Sequence, residues 1–401
     1  MIKLVKINKE DYPNYRSDVI FNAYKWDPQV DDYNTISEYA LVIDKNTANY
    51  LEKLSELLTS ETINMEEEIL NNPKLFKDLG LPWKIIKILK KVKNYNKDMH
   101  IRLMRFDFHP TSKGWMVSEV NSDVPGGYAE ASVLPEIACN YLKQYQPYKN
   151  FGKILLAAFK EKIKEKSNVA LVHATSYTDD RQVMQFFGDL LSENNYHPYY
   201  IAPDLITWKD NIAYSKVNQN VKFAAILRFF PAEWLVILPK KTKWQNYFFT
   251  NTPSCNQPIV ILTQSKRLPL IWDKLKAKKD TWIKLLPKTI DPREVKKDNS
   301  TYIYKPALGR VGEGITIKNT IEEKELKKIL KTVKRYPKEY IAQEMFESIP
   351  LKTDDGKEYH CCIGVFTVNG KCAGFYGRIN EYPKIDSHAK DIPVLIMEDE
   401  K

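Results

Sequence analysis

The chain has 401 residues, longer than one ordinary core and enough for two or three domains. Hydrophobic residues make up 43% of it, which excludes global disorder, and no apolar run approaches the roughly 20 residues that span a bilayer as a helix. The net charge is +10, but the lysines are scattered beside Leu and Ile at helical spacing, as in KELKKILKTVKR, and no basic stripe with interleaved aromatics marks a nucleic-acid surface.

Residues 1–100 read as mainly helical. DYNTISEYALVIDKNTANYLEKLSELLTSE spaces its apolar residues at helix-like intervals, and PWKIIKILKKV is a short amphipathic helix opened by proline. MRFDFHPTSKGWMVSEVNSD then reads as two strands around a turn, and YAEASVLPEIACNYLKQY resumes a helical pattern. From about Ser167 the texture changes: NVALVHA is a buried-type strand, RQVMQFFGDLLSENN a helix, and HPYYIAP and KFAAILRFF further strands, together a small parallel α/β unit. Residues 301–401 read as antiparallel, with Asn369-Gly370 a hairpin turn between apolar runs. The class is α/β with α+β elements. The five cysteines show neither metal-ligand spacing nor a disulfide framework, Cys361 and Cys362 pointing to opposite faces of one strand. With a start that lacks an apolar signal core, the expected setting is a reducing cytoplasm.

Two segments carry chemistry. In the first, Arg105 and Asp107 share one face of strand 102–108, and Trp115, Val117, Glu119 and Asn121 share one face of strand 115–121. Pairing Arg105 with Glu119, with Pro110 to Gly114 as the loop and His109 as a turn residue, gathers Arg105, Asp107, Glu119 and Asn121 together; a one-residue slip scatters them. Two carboxylates and an amide oxygen supply hard ligands for Mg²⁺, and the arginine suits an anion or a developing oxyanion. The bland alternative is an exposed Arg–Glu cross-strand pair. In the second segment, YKPALGRVGEGITI, Lys305 ends a strand and Gly309, Gly312 and Gly314 follow in a loop whose amides can approach phosphate closely. No Gly-Lys-Ser/Thr opens a helix there, so it is not a Walker loop.

These residues resemble the synthetase portion of the glutathionylspermidine synthases, within the ATP-grasp carboxylate–amine ligases, over about Tyr24 to Glu398. The resemblance implies an ATP-grasp fold with an inserted Rossmann-like pre-ATP-grasp unit. It divides the chain into a helical region with the metal-site hairpin (1–150), the inserted unit (151–260) and a nucleotide-binding region (261–401). It implies that Asp107, Glu119 and Asn121 hold two Mg²⁺ ions and that Arg105 contacts the reacting carboxyl group. SKRLPLIW supplies Lys266, similar to a first nucleotide-contacting lysine, and Lys305 is similar to the second, with Gly309, Gly312 and Gly314 covering phosphate. YIAQEM resembles the segment beside adenine, where Gln343 and Glu344 accept from the exocyclic amine and Met345 offers backbone; GFYGRINEY places Arg378 as a second active-site arginine. RFFPAEWL (228–235) resembles a further family segment. After Asn121 the sequence departs from the family's hydroxyl residues, with Ser122, Asp123, Val124, Pro125, Gly126 and Gly127.

The implied reaction is attack of a carboxylate on the γ-phosphate of ATP, then attack of an amine on the acyl phosphate, with the glycine loop as a lid against water. The partners are a peptide-like acid and an amine, with no nucleic acid and no membrane. Two other readings stand beside it: a glycoside hydrolase built on the two carboxylates, and a non-catalytic nucleotide-binding scaffold.

Overall fold

The chain opens with strand β1 (Ile2–Lys6) and helix α1 (Tyr12–Asn22), followed by β2 (Tyr39–Asp44) and the long helix α2 (Lys45–Leu70). This computed structural model describes residues 1–93, 95–218, 221–295, 302–309 and 323–397, so Gly312 and Gly314 lie outside the described residues. The segment YALVID, expected to be helical, is a strand. It is buried on both faces and lies between β1 and a C-terminal strand, so its unbroken apolar run suits a central strand as well as a helix. Asp44 ends it and caps α2, accepting from the Thr47 amide at 2.7 Å. Helix α3 (Trp83–Leu89) begins after Pro82, as its sequence predicts.

The hairpin is β3 (Leu103–Thr111) and β4 (Gly114–Asn121). Helix α4 (Val133–Tyr141), β5 (Tyr145–Pro147) and α5 (Phe151–Lys160) lead into β6 (Asn168–His173), α6 (Thr178–Glu193), β7 (His197–Ile201), β8 (Ala225–Phe229) and β9 (Ser254–Cys255). These last four strands form a parallel sheet in the order β9-β8-β6-β7, the expected α/β unit. A small antiparallel sheet, β10-β12-β11, comprises β10 (Thr289–Ile290), β11 (Tyr302–Pro306) and β12 (Tyr340–Glu344), with α7 (Glu323–Arg335) preceding β12. The C-terminal strands are β13 (Glu358–Val368), β14 (Lys371–Asn380), β15 (Lys390–Ile392) and β16 (Val394–Met397). Asn369 and Gly370 both take positive φ, 48° and 87°, in the two-residue turn between β13 and β14.

The central sheet runs β15-β14-β13-β3-β4, so the N-terminal hairpin is completed by strands from the far end of the chain. One face of it is apolar: Phe106, Phe108 and Val117 are fully buried in a core shared with Leu54, Leu58 and Met65 of α2. The opposite face is polar and lines a cavity. Among the described residues no helix is long and apolar enough to cross a membrane.

Candidate active site

The polar face exists because of one irregularity in β4. From the tight turn, Thr111 pairs with Gly114 and Phe108 with Val117; beyond a bulge, Asp107 pairs with Glu119 and Arg105 with Asn121. A regular ladder continued from that turn would set Asp107 opposite Ser118 and send Glu119 to the core side. The bulge absorbs Ser118 as the extra residue, so Val117 packs in the core while Glu119 and Asn121 face the cavity. Three expectations are therefore corrected. Arg105 pairs with Asn121 rather than Glu119; the loop is shorter than Pro110–Gly114; and Val117 does not share a face with Glu119. The four polar residues still converge, because the observed register differs from the expected one by an even number of residues. His109 lies within β3 and lines the cavity, since the turn closes beyond it.

Arg105 is fixed on three sides. Its Nε and Nη2 donate to the Asp107 carboxylate at 2.8 and 3.0 Å, and its Nη1 donates to the Gly126 carbonyl at 2.7 Å. The guanidinium also lies 5.0 Å from the Tyr376 ring centroid. Space for it comes from Gly364 on β13, where an added Cβ would fall 2.7 Å from Arg105 Cδ. Burial opposes the charge on Arg105, but Asp107 more than compensates and holds the group protonated. Asn121 Nδ2 donates to Asp107 Oδ2 at 3.0 Å, leaving the Asn121 Oδ1 as the end available to a cation.

Two lysines approach from another layer. Lys266 Nζ contacts Glu119 Oε2 at 3.1 Å and donates to the Gly309 carbonyl at 2.9 Å. Lys305, on β11 and almost wholly buried, donates to the Ser118 carbonyl at 3.2 Å, an acceptor at the bulge. Burial lowers the Lys305 pKa to about 8, Lys266 adding to the shift while Glu119 and Asp107 oppose it. Burial alone would raise Glu119, but Lys266 and Lys305 hold its carboxyl below the usual range. A carboxyl held in that way is a poor general acid, which disfavours glycoside hydrolysis. His109 is pushed down to about 4 by burial and by Lys305.

The cavity is about 890 Å³ and takes in Arg105, Asp107, Glu119, Asn121, Lys305 and Arg378 together. Arg378, on β14, donates to the Ala389 carbonyl at 3.4 Å and lies 3.7 Å from Asp391. Asp391 belongs to a second charged cluster lining the cavity that no local sequence pattern signals. Lys25 contacts it at 2.8 Å and Asp27 at 3.2 Å, with Glu130 at 4.0 Å. Burial and Asp391 raise Glu130 to about 7 against the pull of Lys25. The cavity thus carries a second charged cluster, in which three carboxylates gather around Lys25.

The residues expected beside a nucleotide divide. Gln343 shares the Lys305 face of its sheet and lines a smaller cavity of about 40 Å³, with Lys266, Lys305, Trp272 and Trp282. Glu344 does not: alternation turns it to the other face, where its carboxylate accepts from the Tyr302 hydroxyl at 3.2 Å. Met345 lines the large cavity. Arg228 is a buried structural residue, its Nη2 paired with Asp123, whose second oxygen accepts from the Ala232 amide at 2.8 Å. Ser122 is also buried, accepting from Arg102 and receiving support from Gln264, so these two residues after Asn121 serve packing. Among the described residues no group of three or more His, Cys, Asp or Glu side chains could hold a metal ion unaided. Two carboxylates plus an amide oxygen fit a Mg²⁺ ion that takes its remaining ligands from phosphate and water.

The family model for the glutathionylspermidine synthase preATP-grasp region matches residues 6–397. A glutathione synthetase-like effector from Globodera pallida, in apo form, superposes with a TM-score of 0.62 at 12% identity, covering 96% of this chain and 97% of that one. At that identity the likeness speaks for fold alone. A protein described as a gamma-glutamylcysteine synthetase from Methylobacillus flagellatus gives a TM-score of 0.41 at 12% identity over 81% of this chain and 88% of that one, too slight to argue from. No curated protein matches the chain. The fold is a mixed α/β one of the ATP-grasp type.

Proposed function

The chain belongs to the glutathionylspermidine synthase family, and from that premise we propose that it is an ATP-dependent ligase joining the carboxyl group of a peptide-like acid to an amine. The observation that carries this reading is the meeting of Arg105, Asp107, Glu119, Asn121 and Lys305 in one cavity, with Lys266 on Glu119. Carboxylates that would hold Mg²⁺ and two inward lysines match the charge of a triphosphate, and the arginine adds a fork for a carboxyl oxygen.

In the proposed reaction a substrate carboxylate oxygen attacks the γ-phosphorus of ATP, ADP departs, and the amine nitrogen then attacks the acyl carbon. Phosphate leaves, and the nitrogen loses a proton. Lys266 and Lys305 bind and orient the phosphates. Arg105 stabilises the oxyanion of the tetrahedral intermediate, with Arg378 close enough in the cavity to hold the acid. Asp107, Glu119 and Asn121 would hold Mg²⁺, which when bound offsets phosphate charge. Asp27, Glu130 and Asp391, three carboxylates around the one lysine Lys25, suit the amine.

The test is a phosphate-release screen of peptide-like acids crossed with polyamines and amino acids in the presence of ATP and Mg²⁺. The expected result is phosphate release that needs both an acid and an amine. Nucleotide binding without release under any pairing would support a scaffold instead.

A further inference from the structure

An amine substrate reaches the cavity as an ammonium ion, because amino groups hold their proton up to about pH 8–10. An ammonium has no lone pair with which to attack a carbonyl, so a proton must leave before the C–N bond forms.

The cavity's carboxylates are not equal candidates to take it. Asp107 lies in the Arg105 fork, and Glu119 is paired with Lys266. Asp391 accepts from the Tyr376 hydroxyl at 2.7 Å and meets Lys25 at 2.8 Å; burial opposes its charge, but Lys25 and Arg378 hold its carboxyl below the usual range. Asp27 meets Lys25 at 3.2 Å. Glu130 differs from all of these. It lines the cavity, among the described residues no side chain donates a hydrogen bond to it, and its one ion pair is the contact with Lys25 at 4.0 Å. Burial and Asp391 raise its carboxyl to about 7, Asp27 adding to the shift and Lys25 opposing it. Arg378 and Tyr376 on β14 adjoin this cluster through Asp391, and Asp179 on α6 acts on it through Asp27.

Tyr376 joins the cluster to the proposed oxyanion site. Arg105 lies 5.0 Å from its ring centroid, while its hydroxyl reaches Asp391. The short stretch from Gly126 to Glu130 joins them a second time, since the Gly126 carbonyl accepts from Arg105. An acyl carbon whose oxygen lies against Arg105 therefore has the Lys25 cluster one tyrosine ring away.

We propose that Glu130 is the general base of the amine step, with Asp27 and Asp391 holding the ammonium while Glu130 takes its proton. The proposal rests on the ligase reading and adds a catalytic residue to it. A Glu130 carboxylate oxygen removes one proton from the ammonium, and the freed nitrogen lone pair forms the C–N bond. The bond from the acyl carbon to the phosphate oxygen breaks, and the nitrogen's second proton goes with the departing phosphate. Glu130 returns its proton to water as the amide leaves.

The experiment compares two nucleophiles with ATP, Mg²⁺ and the acid that gives most phosphate release in the screen above. One is that screen's best amine; the other is hydroxylamine, which is uncharged at neutral pH and traps acyl phosphates as hydroxamates without needing a base. The readout is the ratio of amide to hydroxamate rate, which a change in the folded fraction leaves unaltered. Glu130→Gln should lower that ratio about a hundredfold, mostly in kcat rather than in KM for the amine, and Glu130→Asp should recover part of it. The wild-type amide rate should level off above about pH 7, whereas Glu130→Gln should keep rising toward the pKa of the amine. An unchanged ratio in Glu130→Gln overturns the inference and leaves the ligase reading standing. Neither amide nor hydroxamate from wild type with any acid of the screen overturns both.

Discussion

Arg105→Ala removes two contacts to Asp107 and one to the Gly126 carbonyl, and leaves Asp107 with Asn121 alone from this group. Both charged side chains are close to buried, at 13% and 11% exposure, so solvent screens the loss little. Deleting one member of such a pair costs about 3–5 kcal/mol. A chain of 401 residues unfolds with an entropy near ~0.8 kcal/mol/K, which converts that cost to a fall of about 4–6 °C in melting temperature. Mg²⁺ should restore part of the fall, because it can take over as the charge partner of Asp107. Turnover, measured well below the melting range, should fall by about two to three orders of magnitude, while ATP affinity stays near wild type if, as proposed, the lysines hold the phosphates. Arg105→Lys should recover some stability and little rate, since an ammonium cannot hold a carboxylate in two places and a carbonyl at the same time. Differential scanning fluorimetry with and without Mg²⁺, beside steady-state kinetics, checks all of these. An unchanged melting temperature would mean that the Arg105–Asp107 pair contributes nothing, and near-wild-type turnover would remove the arginine from the chemistry.

Gly364→Ala puts a methyl group 2.7 Å from Arg105 Cδ, so the arginine must leave its place on Asp107; about 1–3 kcal/mol of stability and most of the activity should go together, and full activity would show that the close approach is relieved elsewhere. Lys305 has a folded pKa near 8, below its unfolded value, so its buried charge is a burden below that pH that is relieved as pH rises from about 8 toward 10.5. Stability should rise across that window while ATP affinity falls, and Lys305→Met should flatten both; a wild-type affinity independent of pH there refutes the assignment. Glu119 has a lowered pKa, so its contribution is whole above about pH 4.5 and is lost as pH falls through the folded value; Glu119→Gln should remove that acid-side slope from the melting-temperature profile.

Much of this was legible in the sequence, and the exceptions have physical causes. The parallel unit, the Asn369-Gly370 turn and the proline-started helix follow from patterns confined to a few neighbouring residues. YALVID failed as a helix because an apolar run buried on both faces carries no period to distinguish the two forms. The convergence of Arg105, Asp107, Glu119 and Asn121 was readable from alternation, but the bulge was not, since nothing in WMVSEVN marks Ser118 as the residue to be left out of the ladder. The face of Glu344 was not readable because a motif names residues without assigning faces. Lys25, Glu130 and Asp391 meet only through tertiary structure, and Gly364 becomes informative only once Arg105 is seen crossing it.

The bulge also explains why a sheet packed against α2 tolerates so much charge on its other side. Every residue of an undisturbed β4 would keep strict alternation, and the turn would then fix Glu119 against the apolar core, where an unpaired carboxylate is prohibitively costly. Displacing Ser118 leaves Val117 in the core and turns Glu119 to the cavity, where Lys266 compensates it. Ser118 at the bulge also presents its carbonyl as an acceptor, and Lys305 uses it. One extra residue thus sets where the carboxylate sits and supports one of the two lysines beside it. A substitution that straightened β4 would therefore dismantle the proposed cation and anion sites together, which is a stronger coupling than their separation in sequence suggests.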